Sequence, residues 1–241
     1  MIKVITTCWN CSQYISKCIE SVRNQTIQNF KMYIIDDLSD DGTSDIILST
    51  IKNDDRFIFF KNEEKKYKLK NLDELIIQDE LFDDEDIIIE LDGDDYLFNN
   101  KVFERILKEY ENKNVKLTNG SFMYVNGSIG FSSQCNPKTI RKDVFTFSHL
   151  RTFKRELWMN IPEEQLKDDN GEYFKSGADV AYSFPLIEIA GEKGYRFIPD
   201  ILYVYNHESP FNDHKPDSAA GGLGEQSKTA QIIRNRKSLY E

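Results

Sequence analysis

The sequence predicts an α/β fold with a mostly parallel sheet flanked by helices. Three features predict it: short, almost continuous apolar runs, amphipathic segments between them, and polar clusters at the ends of the runs. Residues 2–8 (IKVITTC) read as a buried strand, and residues 12–25 place apolar side chains at helical spacing with Ser12 as N-cap. Residues 30–37 form a second strand. The Asp- and Gly-rich turn LSDDGTSD then leads into a helix through residues 46–52. Residues 56–61 are a third strand, 71–82 a helix and 85–92 a fourth strand.

Beyond residue 95 the alternation weakens. Residues 100–112 predict a helix, 115–127 strand–turn–strand, and 148–158 a helix. Residues 179–194 predict a helix interrupted by Pro185, 195–207 two short strands around Pro199, and the last fifteen residues a basic helix. With no linker or repeat, the chain reads as one domain over 1–241, its halves meeting between residues 98 and 99.

Composition narrows the function. A length of 241 residues suffices for a sizeable core, and no apolar run is long enough to span a bilayer. The first ten residues lack the apolar stretch of a signal peptide, so a cytoplasmic protein is expected. Cys8, Cys11, Cys18 and Cys135 fit reduced thiols. The spacing of Cys8 and Cys11 suggests a redox or zinc pair, but no second pair or nearby histidine completes a zinc set, so packing is expected. A net charge of −10 argues against general nucleic-acid affinity, although bases gather at 65–70 and 138–156. Acids crowd residues 79–95, which beside basic patches suits a divalent metal and a phosphorylated ligand.

In open α/β sheets ligands bind at the carboxyl ends of the strands. Thr6, Thr7, Asp36, Asp37 and the run Asp92-Gly93-Asp94-Asp95 all fall at such ends. Crowded carboxylates repel one another unless a cation or proton relieves them. A calcium loop of the EF-hand type is excluded, because counting from Asp92 its required glycine and glutamate positions hold Leu97 and Phe103.

Four segments in series, VITTCWNCSQYISKCIESVRNQT, YIIDDLSDDGTSD, IIIELDGDD and GADVAYSFPLIEIAG, resemble the metal-dependent GT-A glycosyltransferases of family 2. The resemblance implies a nucleotide-diphospho-sugar transferase fold, with residues 1–98 binding the nucleotide-sugar and 99–241 the acceptor. It further implies transfer of one sugar from a nucleotide-sugar, a UDP-hexose, to an acceptor hydroxyl with inversion, assisted by Mn²⁺ or Mg²⁺. By resemblance Asp94 ligates the metal, Asp92 meets the ribose or the metal's water, and Asp95 is the alternative ligand. His207, with His214 as rival, would complete the metal shell. Asp37 would accept from a uracil N3–H, a bond cytosine cannot offer. Thr6 and Trp9 would line the same pocket, and Lys70 would approach the diphosphate. Asp179 is the expected general base, with a helix N-cap as its competing role. His149 and Arg151 would face the diphosphate or the acceptor.

The Gln-x-x-Arg-Trp string of processive members is absent, since Asn235 follows Gln231-Ile-Ile-Arg234; single-sugar transfer is expected. The glycines at 221–224 read as a lid or a linker. Glycan, lipid-linked sugar, protein and hydroxylated bases of viral DNA all remain open as acceptors. A nucleotidyltransferase is the competing enzyme class, disfavoured by the lack of a Gly-rich loop in TTCWNCS. A non-catalytic nucleotide-sugar-binding module is the competing reading without turnover.

Overall fold

The computed structural model describes residues 1–209 and 222–240. Its first half follows the expected alternation. Strands β1 (Ile2–Cys8), β2 (Phe30–Asp36), β3 (Phe57–Lys61) and β4 (Ile87–Glu90) pair in parallel, β2 with β3 and β1 with both β2 and β4. Helices α1 (Ile15–Arg23), α2 (Thr43–Ile51) and α3 (Tyr67–Ile76) join them. Ile15, Cys18, Ile19 and Val22 form the buried stripe of α1, spaced as one helical face requires.

The second half supplies β5 (Tyr96–Leu97), α4 (Val102–Tyr110), β6 (Leu117–Tyr124), β7 (Arg151–Lys154) and α5 (Arg155–Met159). It continues with α6 (Glu163–Leu166), α7 (Ala178–Gly194), β8 (Tyr195–Tyr205) and α8 (Gly222–Asn235). All eight strands share one sheet in the order β3-β2-β1-β4-β7-β6-β8-β5. The sheet turns antiparallel where β7 enters, between β4 and β6. Alternate strand residues feed two cores. Ile5, Tyr33, Ile35 and Ile88 pack with α3, α5 and α7, while Val4, Met32, Ile34 and Ile89 pack with α1, α2 and α4. The four cysteines are free and buried, Cys8, Cys11 and Cys18 in one core and Cys135 in the other, and serve as packing groups.

Several expected boundaries are corrected. Residues 148–158 are not one helix, for residues 151–154 are β7, and only Arg155–Met159 are helical. Pairing on both sides of β7 outweighs local propensity there. Ser12 does not cap α1. Tyr14 holds the cap position, and the Ser12 amide donates to Asp41 instead. Helix α3 begins four residues early, because the Asp37 carboxylate accepts from the Lys66 and Tyr67 amides. Pro185 sits inside α7 without ending it, and the break falls at Gly191, where φ is 60°. Pro199 lies within one continuous strand, β8, whose pairing with β6 shifts register nearby. Residues 115–127 contain one strand, β6, rather than two.

Candidate active site

The carboxyl ends of β1, β2 and β4 open on a cleft of about 370 Å³. Of the residues singled out in the sequence, Trp9, Asp37, Asp92, Asp94, His149, Arg151 and Asp179 line it. Residues from five separate segments are thus brought together by the topology.

The acidic turn follows β4. Gly93 is required there: a Cβ would lie 2.4 Å from the Cys8 Cβ and 3.3 Å from the Thr7 carbonyl oxygen, and its amide donates to that oxygen at 3.2 Å. The turn points Asp92 and Asp94 at the cleft. Asp95 goes the other way, accepting from the Tyr203 hydroxyl and, at 2.6 Å, from the Asn206 amide. Asp95 is therefore a buried strut between β4's turn and β8, and it is absent from the cleft lining.

Burial, with Asp92 beside it, pushes the Asp94 carboxyl up to about 6. Burial raises Asp92 as well, with Glu90 adding to it and Lys68 only partly offsetting it. Between 3.8, the ordinary value, and about 6, the folded protein holds a proton on Asp94 that the unfolded chain has released. Stability from this group is full below that window and is lost as pH rises through it. Without divalent cation, the melting temperature is expected to be higher at pH 5 than at pH 7.5. Scanning fluorimetry in EDTA checks this, and a melting temperature that climbs across the interval would show Asp94 ionising freely.

Behind the cleft runs a line of alternating charge that the sequence reading missed. The Lys68 ammonium lies 2.6 Å from Asp92 Oδ1 and also pairs with Glu90 Oε1. Glu90 Oε2 accepts from Arg151 Nη1 at 3.0 Å and from the Tyr182 hydroxyl. Arg151 Nη2 reaches Asp179 Oδ2 at 3.4 Å. Burial alone would raise Glu90, but Lys68 and Arg151 outweigh it and hold its carboxyl well below the usual range. One clue was available: a carboxylate closing the apolar run Ile87-Ile88-Ile89 has to find a counter-ion. Lys68 carried no comparable mark among its neighbouring lysines.

At the end of β2, Asp37 closes the cleft near Trp9. Its Oδ1 accepts from Asn62 Nδ2 at 2.7 Å and the Lys66 amide at 2.9 Å, its Oδ2 from the Tyr67 amide at 2.9 Å. Lys65 sits 3.7 Å from the Trp9 ring centre and 3.7 Å from Asp37 Oδ2. Two expectations shift by a residue or two. Thr6 is fully buried within the sheet, and strand alternation places Thr7 on the cleft instead. Lys70 faces Glu64 and Glu74 at 3.9 and 3.7 Å, away from the cleft, while Lys68 and Asn71, one helical turn apart, face it. Lys175 is a further cation on the lining.

Asp179 stands in the first turn of α7, and Gly177 takes the cap position with φ 71°. The Asp179 side chain is 39% exposed and accepts from the Val180 amide at 3.0 Å. His149 stacks on Tyr203 at 4.3 Å, and burial together with Arg151 keeps it neutral, well below the ordinary histidine value. His207 lies outside the cleft lining, edge-on to Tyr124 at 5.1 Å, with a buried Nδ1 that makes no hydrogen bond. His214 and Gly221 lie outside the described residues.

In the basic cluster at 138–156 Lys138 and Lys142 are exposed, but the other four bases form no open positive face. Arg141 pairs with Glu188, Arg151 with Glu90, Lys154 with Glu85 and Arg155 with Asp79 and Asp84, and all four basic side chains are buried. Among the described residues, no helix is long and apolar enough to cross a membrane.

This sheet, parallel on one side and mixed beyond β4, with acids gathered at its strand ends, is the GT-A architecture of glycosyltransferases. The chain belongs to Glycosyl transferase family 2, whose profile matches residues 3–188. It is similar to the glycosyltransferase GlyG of Streptococcus pneumoniae serotype 4, with 24% identity covering 87% of this chain and 71% of that protein. Chondroitin synthase of Escherichia coli is 35% identical over 65 residues, 27% of this chain and 10% of its own length. The putative glycosyltransferase EpsH of Bacillus subtilis is 38% identical over 56 residues, 23% of this chain and 16% of its own. The matches to these last two thus span only a small part of either relative. In fold, S. aureus TarS (residues 1–349) in complex with UDP-GlcNAc superposes with a TM-score of 0.64 at 15% identity, covering 97% of this chain and 71% of that one. The mannosyltransferase PcManGT of Pyrobaculum calidifontis, in complex with GDP-Man and Mn²⁺, gives 0.63 at 18% identity, covering 98% and 65%.

Proposed function

We propose that this glycosyltransferase moves a single hexose from a UDP-sugar to an acceptor hydroxyl with inversion, using Mn²⁺ or Mg²⁺. The observation that carries the proposal is the pairing, in one cleft, of the crowded carboxylates Asp92 and Asp94 with the exposed carboxylate Asp179.

The residues fit such an ion. Among the described residues no group of three or more His, Cys, Asp or Glu side chains is placed to hold a metal, so a full protein cage is not what they offer. Two carboxylates suit an ion that takes its remaining oxygens from phosphates and water, and Asp94, raised by burial and by Asp92, gains most from a cation. When bound, the ion would neutralise charge growing on the departing diphosphate. His207, off the cleft lining, is not needed for this.

The chain's own side chains account for the rest. The Trp9 ring, with the Lys65 ammonium over it, flanks Asp37 where the base would lie, and Lys175 offers a cation to the phosphates. Three hydrogen bonds fix the Asp37 carboxylate, and a uracil N3–H would take its remaining acceptor direction, which the Lys65 ammonium faces from 3.7 Å. Asp179 takes the proton of the acceptor hydroxyl as that oxygen attacks the anomeric carbon, a single displacement that inverts the centre.

A panel of UDP- and GDP-sugars, assayed for nucleoside diphosphate release with Mn²⁺ or with EDTA, tests the proposal. Release from a UDP-hexose that disappears in EDTA is expected. Release confined to GDP-sugars would overturn the uridine assignment, and release indifferent to EDTA would overturn the metal.

A further inference from the structure

We infer that Glu90 is a positioning residue for the transfer step: it divides its charge between Lys68 and Arg151 and so prevents Arg151 from closing onto Asp179. The inference rests on Asp179 being the proton acceptor.

The geometry sets up a competition for one guanidinium. Glu90 and Arg151 face each other across the antiparallel pairing of β4 and β7, so sheet register fixes their approach. Arg151 is nearer Glu90, at 3.0 Å, than Asp179, at 3.4 Å. The Tyr182 hydroxyl donates to the same Glu90 oxygen and accepts from Arg151 Nη1 at 3.3 Å, which closes a buried triangle. Glu90 and Arg151 are both about 3% exposed, so neither can exchange its partner for water. Lys68, on the other oxygen, ties the same carboxylate to Asp92 on the donor side.

Neutralising Glu90 leaves a buried guanidinium whose remaining carboxylate is Asp179. A buried charge stripped of its partner is strongly unfavourable, so Arg151 moves toward Asp179. A base engaged by a close cation is weaker and less free to accept the acceptor's proton. The other charged and titratable groups near Asp179 are Tyr182, His149, Lys68, Lys175 and Tyr205; of these Lys68 and Tyr182 each lose a bond to the Glu90 carboxylate, Lys68 keeping Asp92 and Tyr182 keeping Arg151.

The test compares pH profiles of kcat for UDP release, with donor and Mn²⁺ saturating, so that the profile reports the bound complex. Glu90→Gln keeps the side chain's shape and removes its charge. Its acid limb is expected to move down by about one pH unit, with a plateau roughly tenfold lower. Arg151→Gln removes the cation and is expected to move the limb in the opposite direction, upward. If Glu90→Gln does not fold, Arg151→Gln decides alone. Limbs that stay at the wild-type position in the folded variants, with Asp179→Asn inactive, would overturn the role of Glu90 while sparing the base. Full turnover by Asp179→Asn would instead remove the base assignment itself.

Discussion

Asp94→Asn is expected to fold normally and to lose metal-dependent turnover by about a thousandfold or more, since a Lewis-acidic ion on the leaving group contributes several kcal/mol and each 1.36 kcal/mol is tenfold in rate. Asp94 faces the cleft and is raised to about 6 by burial and by Asp92, so its ionised form is the one a cation rewards most. Asparagine keeps the volume and removes the charge. It also removes the repulsion, so the variant's metal-free melting temperature at pH 7.5 should equal or exceed that of the parent. Stabilisation by Mn²⁺ with UDP should shrink alongside activity. Turnover within tenfold of the parent would mean that the ion, if used, is held elsewhere. Asp95→Asn makes an informative contrast. That carboxylate ties the turn to Tyr203 and Asn206, and its loss should lower stability as well as rate.

Asp179→Asn should lower kcat by about 10²- to 10⁴-fold, the range general bases contribute, while leaving donor affinity close to that of the parent. Asp179 touches Arg151 and its own helix start and makes no contact with Asp92 or Asp94, so the donor side is spared. Calorimetry of UDP binding with Mn²⁺ beside kcat for UDP release separates the two effects. Affinity falling in parallel with rate would make Asp179 a donor contact. This split between binding and turnover also distinguishes an enzyme from a module that only holds the nucleotide-sugar.

The parallel half of the fold was legible because its signals are local. Ile2–Cys8, Phe30–Asp36 and Ile87–Glu90 are apolar runs ending in polar residues, and the helix between the first two carries its buried stripe in register. The acids at the strand ends were legible for the same reason, since strand polarity sends them to one edge. What escaped was long-range. No propensity marks Arg151–Lys154 as a strand, because its pairing partners lie about 30 and 60 residues upstream. Helix α3 starts early on account of a carboxylate thirty residues away, and that moved the cleft lysine from Lys70 to Lys68. Thr6 and Thr7 show the finest limit. Strand periodicity says that one of two neighbours faces the cleft, and only the completed sheet says which.

The insertion of β7 beside β4 has an inheritance of its own. A fragment ending after residue 98 would bare the whole flank of β4, turning a central strand into an unguarded border with open amides and carbonyls. Such a piece would seek another chain to pair with, and aggregation is the ready outcome. The two halves of the chain therefore cannot be shuffled between relatives like beads at that cut.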